Sequence, residues 1–422
     1  MTATAPRVRA LALLREVDRG RRLDLAWEDV AGTLSEEDRG WVHELLFGTI
    51  RFRGRLDHLL ELHLHRGVRS VSPELLRVLR LGAYQLLFMG SVPAYAAVSQ
   101  SVDQGREVGG RKGAGLVNGV LRSLEREGGG PERFPSFSDD PAGYLTTWGS
   151  HPRWLVDRWL RRLGPESARQ VVEAGNRIPG LYLRPLALPV EEAVFRLEGA
   201  GMRARPGPAG SRTVEVGPGT SPTEALDVVP GMIQDPAASR VVDLVGARAG
   251  EWLGDLCAAP GGKGIGAAAS GARLIGCDLS PSRLRKMRDS LRRLGMTERL
   301  VVARGETPPF RSLDVVLVDA PCTGTATLAR HPDARWRLGP DDPDRLATVQ
   351  ARILKGAGTA VRPGGRLIYS TCTLEAEENW ARVEAFLRER PDFALDEAGL
   401  MEILPGDGST DGAFAARMKR KG

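Results

Sequence analysis

Near the start of the chain, apolar residues recur at helical spacing. Val8, Leu11, Leu14 and Val17 follow that period, and Leu75, Leu79 and Leu86 do the same within the segment from Pro73 to Met89. Pro93 opens a further run, and few β-branched stretches interrupt the pattern from Arg7 to about Glu127. Residues 1–128 are therefore expected to form an all-helical domain. The stretch EREGGGPERFPSFSDDPAG, Glu125 to Gly143, shifts to Gly, Pro and acidic residues and predicts a linker over 129–150. In HPRWLVDRWLRRLG, Trp154, Leu155 and Trp159 share one face of an amphipathic helix, and GLYLRPLALPVEEAVFRLEGAG reads as a strand followed by a helix. These features predict a small α+β region over 151–230.

From Gly231 onward the period alternates between strand and helix. WLGDLCA, ARLIGCD, LVVAR, LDVVLVDAP and GGRLIYSTC read as strands, and the segments GKGIGAAAS, PSRLRKMRDSLRRLG and PDRLATVQARILKGAGTAV between them as helices. This order implies a parallel, doubly wound sheet over 231–422 with both faces covered. Ligands of such a sheet sit at the carboxyl ends of its strands.

Charge and composition narrow the classes. The chain has 422 residues, a net charge of +6 and a sequence pI near 9.4, with arginine the main cation, which suits a polyanionic partner. Codon bias in a GC-rich genome explains the arginines equally well. Arg51, Arg53, Arg55, Arg106, Arg111 and Lys112 read either as a phosphate-facing surface or as a solvated helix face. The tryptophans and basic residues after His151 read either as RNA-stacking groups or as core. No apolar run is long enough for a membrane span, and MTATAPRVRA lacks the apolar core of a signal peptide, so a cytoplasmic protein without membrane contact is expected. The four cysteines, Cys257, Cys277, Cys322 and Cys372, form no C-x-x-C pair and have no nearby histidine, which argues against a metal site. A reducing compartment argues against a disulfide framework. Cys257 and Cys277, set among small and apolar residues, read as core thiols.

Three strand ends carry the candidate chemistry. In DLCAAPGGKG, Asp255 to Gly264, small residues let the backbone turn sharply into a helix and approach a ligand closely. The spacing matches neither a dinucleotide fingerprint nor a phosphate-cradling P-loop, and it fits an uncharged adenosyl group with an amino-acid tail. Asp278, at the end of the next strand, is placed to accept hydrogen bonds from ribose hydroxyls. Cys322 and Cys372 each follow a buried strand. A thiolate adding to carbon 6 of a pyrimidine turns carbon 5 into a nucleophile, which is what methylation of that carbon requires. Asp319, three residues before Cys322, is placed to hydrogen-bond the exocyclic amine and ring nitrogen of cytosine. The chemistry alone leaves open which cysteine attacks.

With QDPAAS, DLCAAPGGK, DAPCTG, RHPDARW and STCTLEAEEN in that order, the chain resembles the RsmB/Sun group of small-subunit (16S) rRNA cytosine-5 methyltransferases, within the Nol1/Nop2/Sun superfamily. The resemblance spans almost the whole chain. It implies a multidomain fold: an all-α NusB-like RNA-binding domain, a small α+β middle domain, and an α/β Rossmann-like methyltransferase domain. It also implies S-adenosyl-L-methionine as cofactor and RNA, 16S rRNA first, as partner, with no DNA. By the same resemblance Cys372 is the nucleophile and Cys322 assists release of the product. Cys257, Ala258, Ala259, Pro260, Gly261, Gly262, Lys263 and Asp278 match the cofactor contacts. Glu306 stands for the acidic adenine contact, and Asp319 for the acid beside methyl donor and cytosine. Three positions depart from the family pattern: Gly264 replaces a threonine, Glu306 is one methylene longer than the usual Asp, and Ala326 replaces a glycine, which predicts strain if that position needs positive φ. Rival readings are the same chemistry on tRNA or another rRNA site, an RNA-binding assembly or antitermination factor with an inactive domain, and an amino-group methyltransferase. The last would offer an Asn or Asp with Pro-Pro and an aromatic residue, where this chain reads DAPC.

Overall fold

A computed structural model describes residues 4–297, 299–406 and 410–422. Two compact units emerge, Met1–Asn176 with Leu328–Pro340 and Arg177–Thr327 with Asp341–Gly422. None of the described helices is long and apolar enough to cross a membrane.

The second unit holds two sheets. Strands β1 (Leu181–Pro185), β2 (Ala204–Pro206), β3 (Val214–Val216) and β4 (Gly231–Ile233) form an antiparallel sheet in the order β2-β3-β1-β4. The helices Val190–Gly199 and Pro222–Val228 complete this layer, and Leu183, Ala193, Leu197, Val214 and Val229 are its buried core. The larger sheet contains β5 (Trp252–Asp255), β6 (Arg273–Asp278), β7 (Leu300–Val302), β8 (Leu313–Asp319), β9 (Val361–Thr371), β10 (Phe393–Ile403) and β11 (Ala413–Arg420) in the order β10-β11-β9-β8-β5-β6-β7. Its central strand β8 buries Val315, Val316, Leu317 and Val318 completely, as a strand covered on both faces must. The sheet is mixed, not wholly parallel as the alternation implied: β11 runs antiparallel to both β9 and β10. AFAARMKR, with its alanines and cations and no β-branched residue, gave no strand signal. Between β5 and β8 the strand order reverses, so the carboxyl ends of β5, β6, β8 and β9 surround the crevice where such sheets bind ligands.

The first unit is helical, with Ala5–Asp18, Leu23–Ala31, Glu36–Arg51, Arg53–Glu61, Pro73–Phe88 and Ala94–Glu127 packed around Leu13, Leu45, Leu46, Leu56, Leu59, Leu60 and Leu79. Ser35 and Ser72 cap two of these by accepting from the backbone N–H of Asp38 and Leu75. The longest helix breaks at Gly110, where φ is +62°, a value that glycine adopts without a Cβ penalty. The stretch read as a linker is built into this unit. Phe134 is buried against His58 and Trp148, and Asp140 caps the helix Pro141–Thr147. Trp159 is core rather than an RNA-stacking group, and on its helix, Arg153–Leu163, Leu155 and Val156 are buried while Trp154 is half-buried.

The arginines of the third helical stretch hold the unit together instead of facing phosphate. Arg51 is buried and donates to the Ala329 carbonyl at 2.8 Å. Arg55 donates twice to the Trp148 carbonyl and lies 3.7 Å from the centre of that indole ring. Arg53 sits near Asp18 and over the Trp336 ring. Arg106, Arg111 and Lys112 remain exposed. The sequence pattern kept RHPDARW within 231–422, but Leu328–Pro340 packs in the helical unit. Arg335 is fully buried there and donates to the carbonyls of Ser150, Gly175 and Leu328 and to Asn176 Oδ1, over 2.7–3.2 Å. Asp333 accepts from the Leu23 N–H, and the Trp336 indole donates to the Ile50 carbonyl.

One guanidinium thus gathers four acceptors from three chain segments, a task that needs a planar fork of donors. Replacing it leaves several buried acceptors unpaired. Arg335→Met should cost on the order of 2–4 kcal/mol and lower the melting temperature of the helical unit. Arg335→Lys should not restore it, and a melt unchanged in either variant would remove Arg335 from this role.

Candidate active site

The turn after β5 is fastened to the end of β6. Ala258 N donates to the Cys277 carbonyl at 2.9 Å and Ala259 N to Asp278 Oδ2 at 3.1 Å, before Pro260 and Gly261 lead into the helix Gly262–Ala268. Gly261 has φ +111°, and a Cβ there would lie 2.6 Å from Ile265 Cδ1 and 2.9 Å from Met287 Cγ, so only glycine fits. Gln234, from QDPAAS, donates to the Gly262 carbonyl at 2.8 Å, while its own Oε1 is buried without a partner among the described residues. Asp278 accepts from Ser280 N on Oδ1 and from Ala259 N and Arg283 on Oδ2. A carboxylate has about four acceptor directions, so one more bond fits there readily, and two only if the half-exposed Arg283 moves away.

The structure also accounts for the departures from the family pattern. A Cβ at Gly264 would stand 2.5 Å from Asp255 Oδ2, so this helix start is kept bare by the carboxyl beside it. Burial, with Asp319 adding to it, pushes the Asp255 pKa up to about 8, and its Oδ1 accepts from Cys257 N. Ala326 is not strained: positive φ falls on Gly324, while Ala326 N donates to the Cys372 carbonyl and its own carbonyl accepts from Gly412 N. Glu306 lies in the loop after β7, whose Gly305 backbone borders Leu256 and Cys257, and its carboxylate forms no ion pair among the described residues. Cys277 is buried at the end of β6, and burial lifts the thiol pKa of both Cys257 and Cys277.

Lys263, Asp319, Cys322 and Cys372 come together at the ends of β8 and β9. Lys263 Nζ pairs with Asp319 Oδ2 at 2.7 Å, and Ser370 Oγ lies 3.4 Å from Asp319 Oδ1. Burial works against the Lys263 charge, but Asp319 and Cys372 outweigh it and raise its pKa. The two sulfurs are 3.4 Å apart, and Cys372 N donates to Cys322 Sγ at 3.3 Å. Their hydrogen bond lifts the Cys322 pKa well above the usual thiol range, and burial adds to this. The same bond draws Cys372 down, with Lys263 helping against burial. The shared hydrogen bond thus favours the proton on Cys322 and the anion on Cys372.

A buried carboxylate that sequence reasoning gave no role ties the two cysteine loops to each other. Glu378 accepts from Thr323 N at 2.9 Å and Gln350 Nε2 at 2.8 Å on one oxygen, and from the Thr323 and Thr373 hydroxyls on the other. Gln350 also donates to the Pro321 carbonyl at 3.0 Å. STCTLEAEEN was noticed as a motif, but a glutamate amid three carboxylates in five residues looks like a solvated helix start. Only the tertiary fold shows that Glu375 and Glu378 are buried while Glu377 is not.

Residues 243–419 match the family model for 16S rRNA methyltransferase RsmB/F, residues 4–126 that of the NusB family, and residues 151–217 that of an RsmF/B-like ferredoxin-like domain. Across 418 residues the chain is 33% identical to the probable ribosomal RNA small subunit methyltransferase B of Bacillus subtilis, covering 92% of each. It is 32% identical over 427 residues to the ribosomal RNA small subunit methyltransferase B of Salmonella arizonae, covering 98% of this chain and 97% of that one. The fold is similar to the crystal structure of PH0851, with a TM-score of 0.79, 22% identity and full coverage of both chains. NSun6 from Pyrococcus horikoshii superimposes with a TM-score of 0.54 at 20% identity, over 64% of this chain and 98% of that one.

If Lys263 helps to keep Cys372 ionised, removing its charge must raise the Cys372 pKa. At a fixed pH below that pKa the thiolate fraction then falls. For Lys263→Met, the rising limb of the pH profile for alkylation of Cys372 by iodoacetamide, followed by mass spectrometry of its peptide, should move to higher pH. A limb that stays in place would show that the cation does not govern this thiol.

Proposed function

Because the chain belongs to the 16S rRNA methyltransferase RsmB/F family, we propose that it methylates carbon 5 of a cytosine in small-subunit rRNA through a covalent bond between Cys372 and carbon 6. The observation that carries this reading is the thiol pair 3.4 Å apart, at the same strand ends where Lys263 and Asp319 pair at 2.7 Å. An RNA methyltransferase acting on an amino group or a ribose needs no such thiol pair.

The strand-end cradle fits S-adenosyl-L-methionine. Gln234 Oε1 is a buried acceptor without a partner among the described residues, and Asp278 retains acceptor capacity. Cys257, Ala258, Ala259, Pro260, Gly261, Gly262 and Lys263 complete that cradle, with Glu306 on the neighbouring loop. When bound, the cofactor supplies an electrophilic methyl group on a sulfonium.

The protein's own residues do the rest. Asp319, held by Lys263, accepts from the exocyclic amine of cytosine and so orients the ring for attack at carbon 6. Cys372 thiolate adds to carbon 6, and the electron pair of the C5–C6 double bond becomes available at carbon 5. Once carbon 5 carries the methyl group, its proton leaves to water, the C–H pair re-forms the double bond, and Cys372 departs as thiolate. Cys322 hydrogen-bonds that thiolate more strongly than it does the thioether of the adduct, so its thiol favours release.

Cys372→Ala should abolish methylation while retaining affinity for S-adenosylhomocysteine. Cys322→Ala should methylate once and remain joined to unmodified substrate RNA, only when S-adenosylmethionine is present, as a shifted band on a denaturing gel. The band should vanish in the double variant. Turnover by Cys372→Ala near the wild-type rate, or a freely cycling Cys322→Ala, would overturn the assignment.

A further inference from the structure

Cys322 and Cys372 are held by different means. Cys372 directly follows β9, whose ladders to β8 and β11 extend to Ser370 and Thr371, so the sheet itself fixes that residue. Beyond β8 the last such tie before Cys322 is Ala320 N to the Ser370 carbonyl, and the backbone is not bonded to that strand end again until Ala326 N meets the Cys372 carbonyl. The residues on either side of Cys322 are fixed by side chains. Pro321 presents its carbonyl to Gln350 Nε2, and Thr323 gives its N–H to Glu378. Gln350 and Glu378 are themselves bonded at 2.8 Å and both are fully buried. Glu378 is in turn anchored by Tyr369, whose hydroxyl donates to its carbonyl at 2.6 Å from within β9. The strand that carries one thiol thus sets the position of the other.

On the reading that Cys322 assists release, we propose that Glu378, with Gln350, is a positioning residue for the release step, holding the Cys322 thiol against the sulfur of Cys372. Two N–H groups and two hydroxyls lie within hydrogen-bond distance of Glu378, and the two hydroxyls also bond each other. Two of them, the Thr323 N–H and the Gln350 amide, can only donate. The other two are hydroxyls that can rotate to accept. A glutamine at 378 therefore fits, with its oxygen toward the amides and its NH₂ toward the threonines. Alanine leaves the Thr323 N–H without an acceptor, takes one of its two partners from Gln350 Nε2, and leaves the loop without its brace.

The test compares wild type, Cys322→Ala, Glu378→Ala, Glu378→Gln and Gln350→Leu on unmodified substrate RNA, following methyl incorporation in the first and later turnovers, the adduct on denaturing gels, and thermal melting. Glu378→Ala should keep its first turnover, lose steady-state turnover on the order of ten- to a hundredfold, and accumulate the same S-adenosylmethionine-dependent adduct as Cys322→Ala. Glu378→Gln should recover turnover to within a few-fold and show little adduct. Gln350→Leu, which leaves the carboxylate in place, should accumulate adduct to a smaller extent, and it decides the matter should Glu378→Ala not melt cooperatively. If Cys322→Ala traps RNA but the Glu378 and Gln350 variants only slow the first turnover, or cycle freely, the positioning role is overturned and the thiol chemistry stands. No trapping by Cys322→Ala overturns the release reading, and the positioning role with it.

Discussion

A thiolate in a crowded, largely desolvated place needs a donor and a cation within reach, or it takes up a proton. At the ends of β8 and β9 the donor is the Cys322 thiol and the cation is Lys263, itself paired with Asp319. Each member of this group arrives on a different segment: Lys263 on the first turn after the glycine-rich loop, Asp319 as the last residue of β8, Cys322 on the loop beyond it, and Cys372 at the end of β9. The sheet order, with β8 between β5 and β9, is what gathers them at one end of the sheet, Lys263 bonded to Asp319 and Cys322 to Cys372. Much else in the second unit follows from keeping these four in register. The bare position at Gly264, the fastening of Ala258 and Ala259 to β6, and the carboxylate between the cysteine loops all restrict movement close to the reacting atoms.

Much of the candidate site was legible because its residues are punctuation. Strands ending in Asp255, Asp278, Asp319 and Thr371 announce themselves as apolar runs that stop at a polar or small residue, and chemistry at the carboxyl ends then follows from the sheet type. The alternation also showed which segments become β5 to β9. It gave no sign of β11, since alanines and arginines carry no strand signal and pair there only because β9 and β10 offer their edges.

Side-chain partnership was the illegible part. Arg51, Arg53 and Arg55 carry the same charge whether they meet phosphate, a carbonyl or an indole, and only packing decides; Arg51 and Arg55 are spent on the carbonyls of Ala329 and Trp148. Ala326 looked strained because glycine is usual there, yet the left-handed turn falls two residues earlier, at Gly324. The stretch rich in Gly and Pro read as a tether because it lacks periodicity, but Phe134 and Trp148 pack it into the core of the helical unit. Glu378 was invisible for the opposite reason: a glutamate near a helix start is so ordinary that nothing in the sequence marks it as buried.

Arg335 has a consequence for how this protein can be divided or inherited. The helical unit is not a separable prefix of the gene, since thirteen residues that complete it, Leu328–Pro340, are encoded within the catalytic half, starting six residues after Cys322. A gene fragment ending at the long helix would lack Arg335 and Trp336, and one beginning after it would keep the acceptors of Arg335 but leave Trp336 and Asp333 without Ile50 and Leu23. Shuffling domains at the obvious sequence boundary would therefore break two folds at once. The two halves can change partners only by exchanging that internal segment as well, a double crossover rather than a single one, so the lineage is expected to have passed them on together.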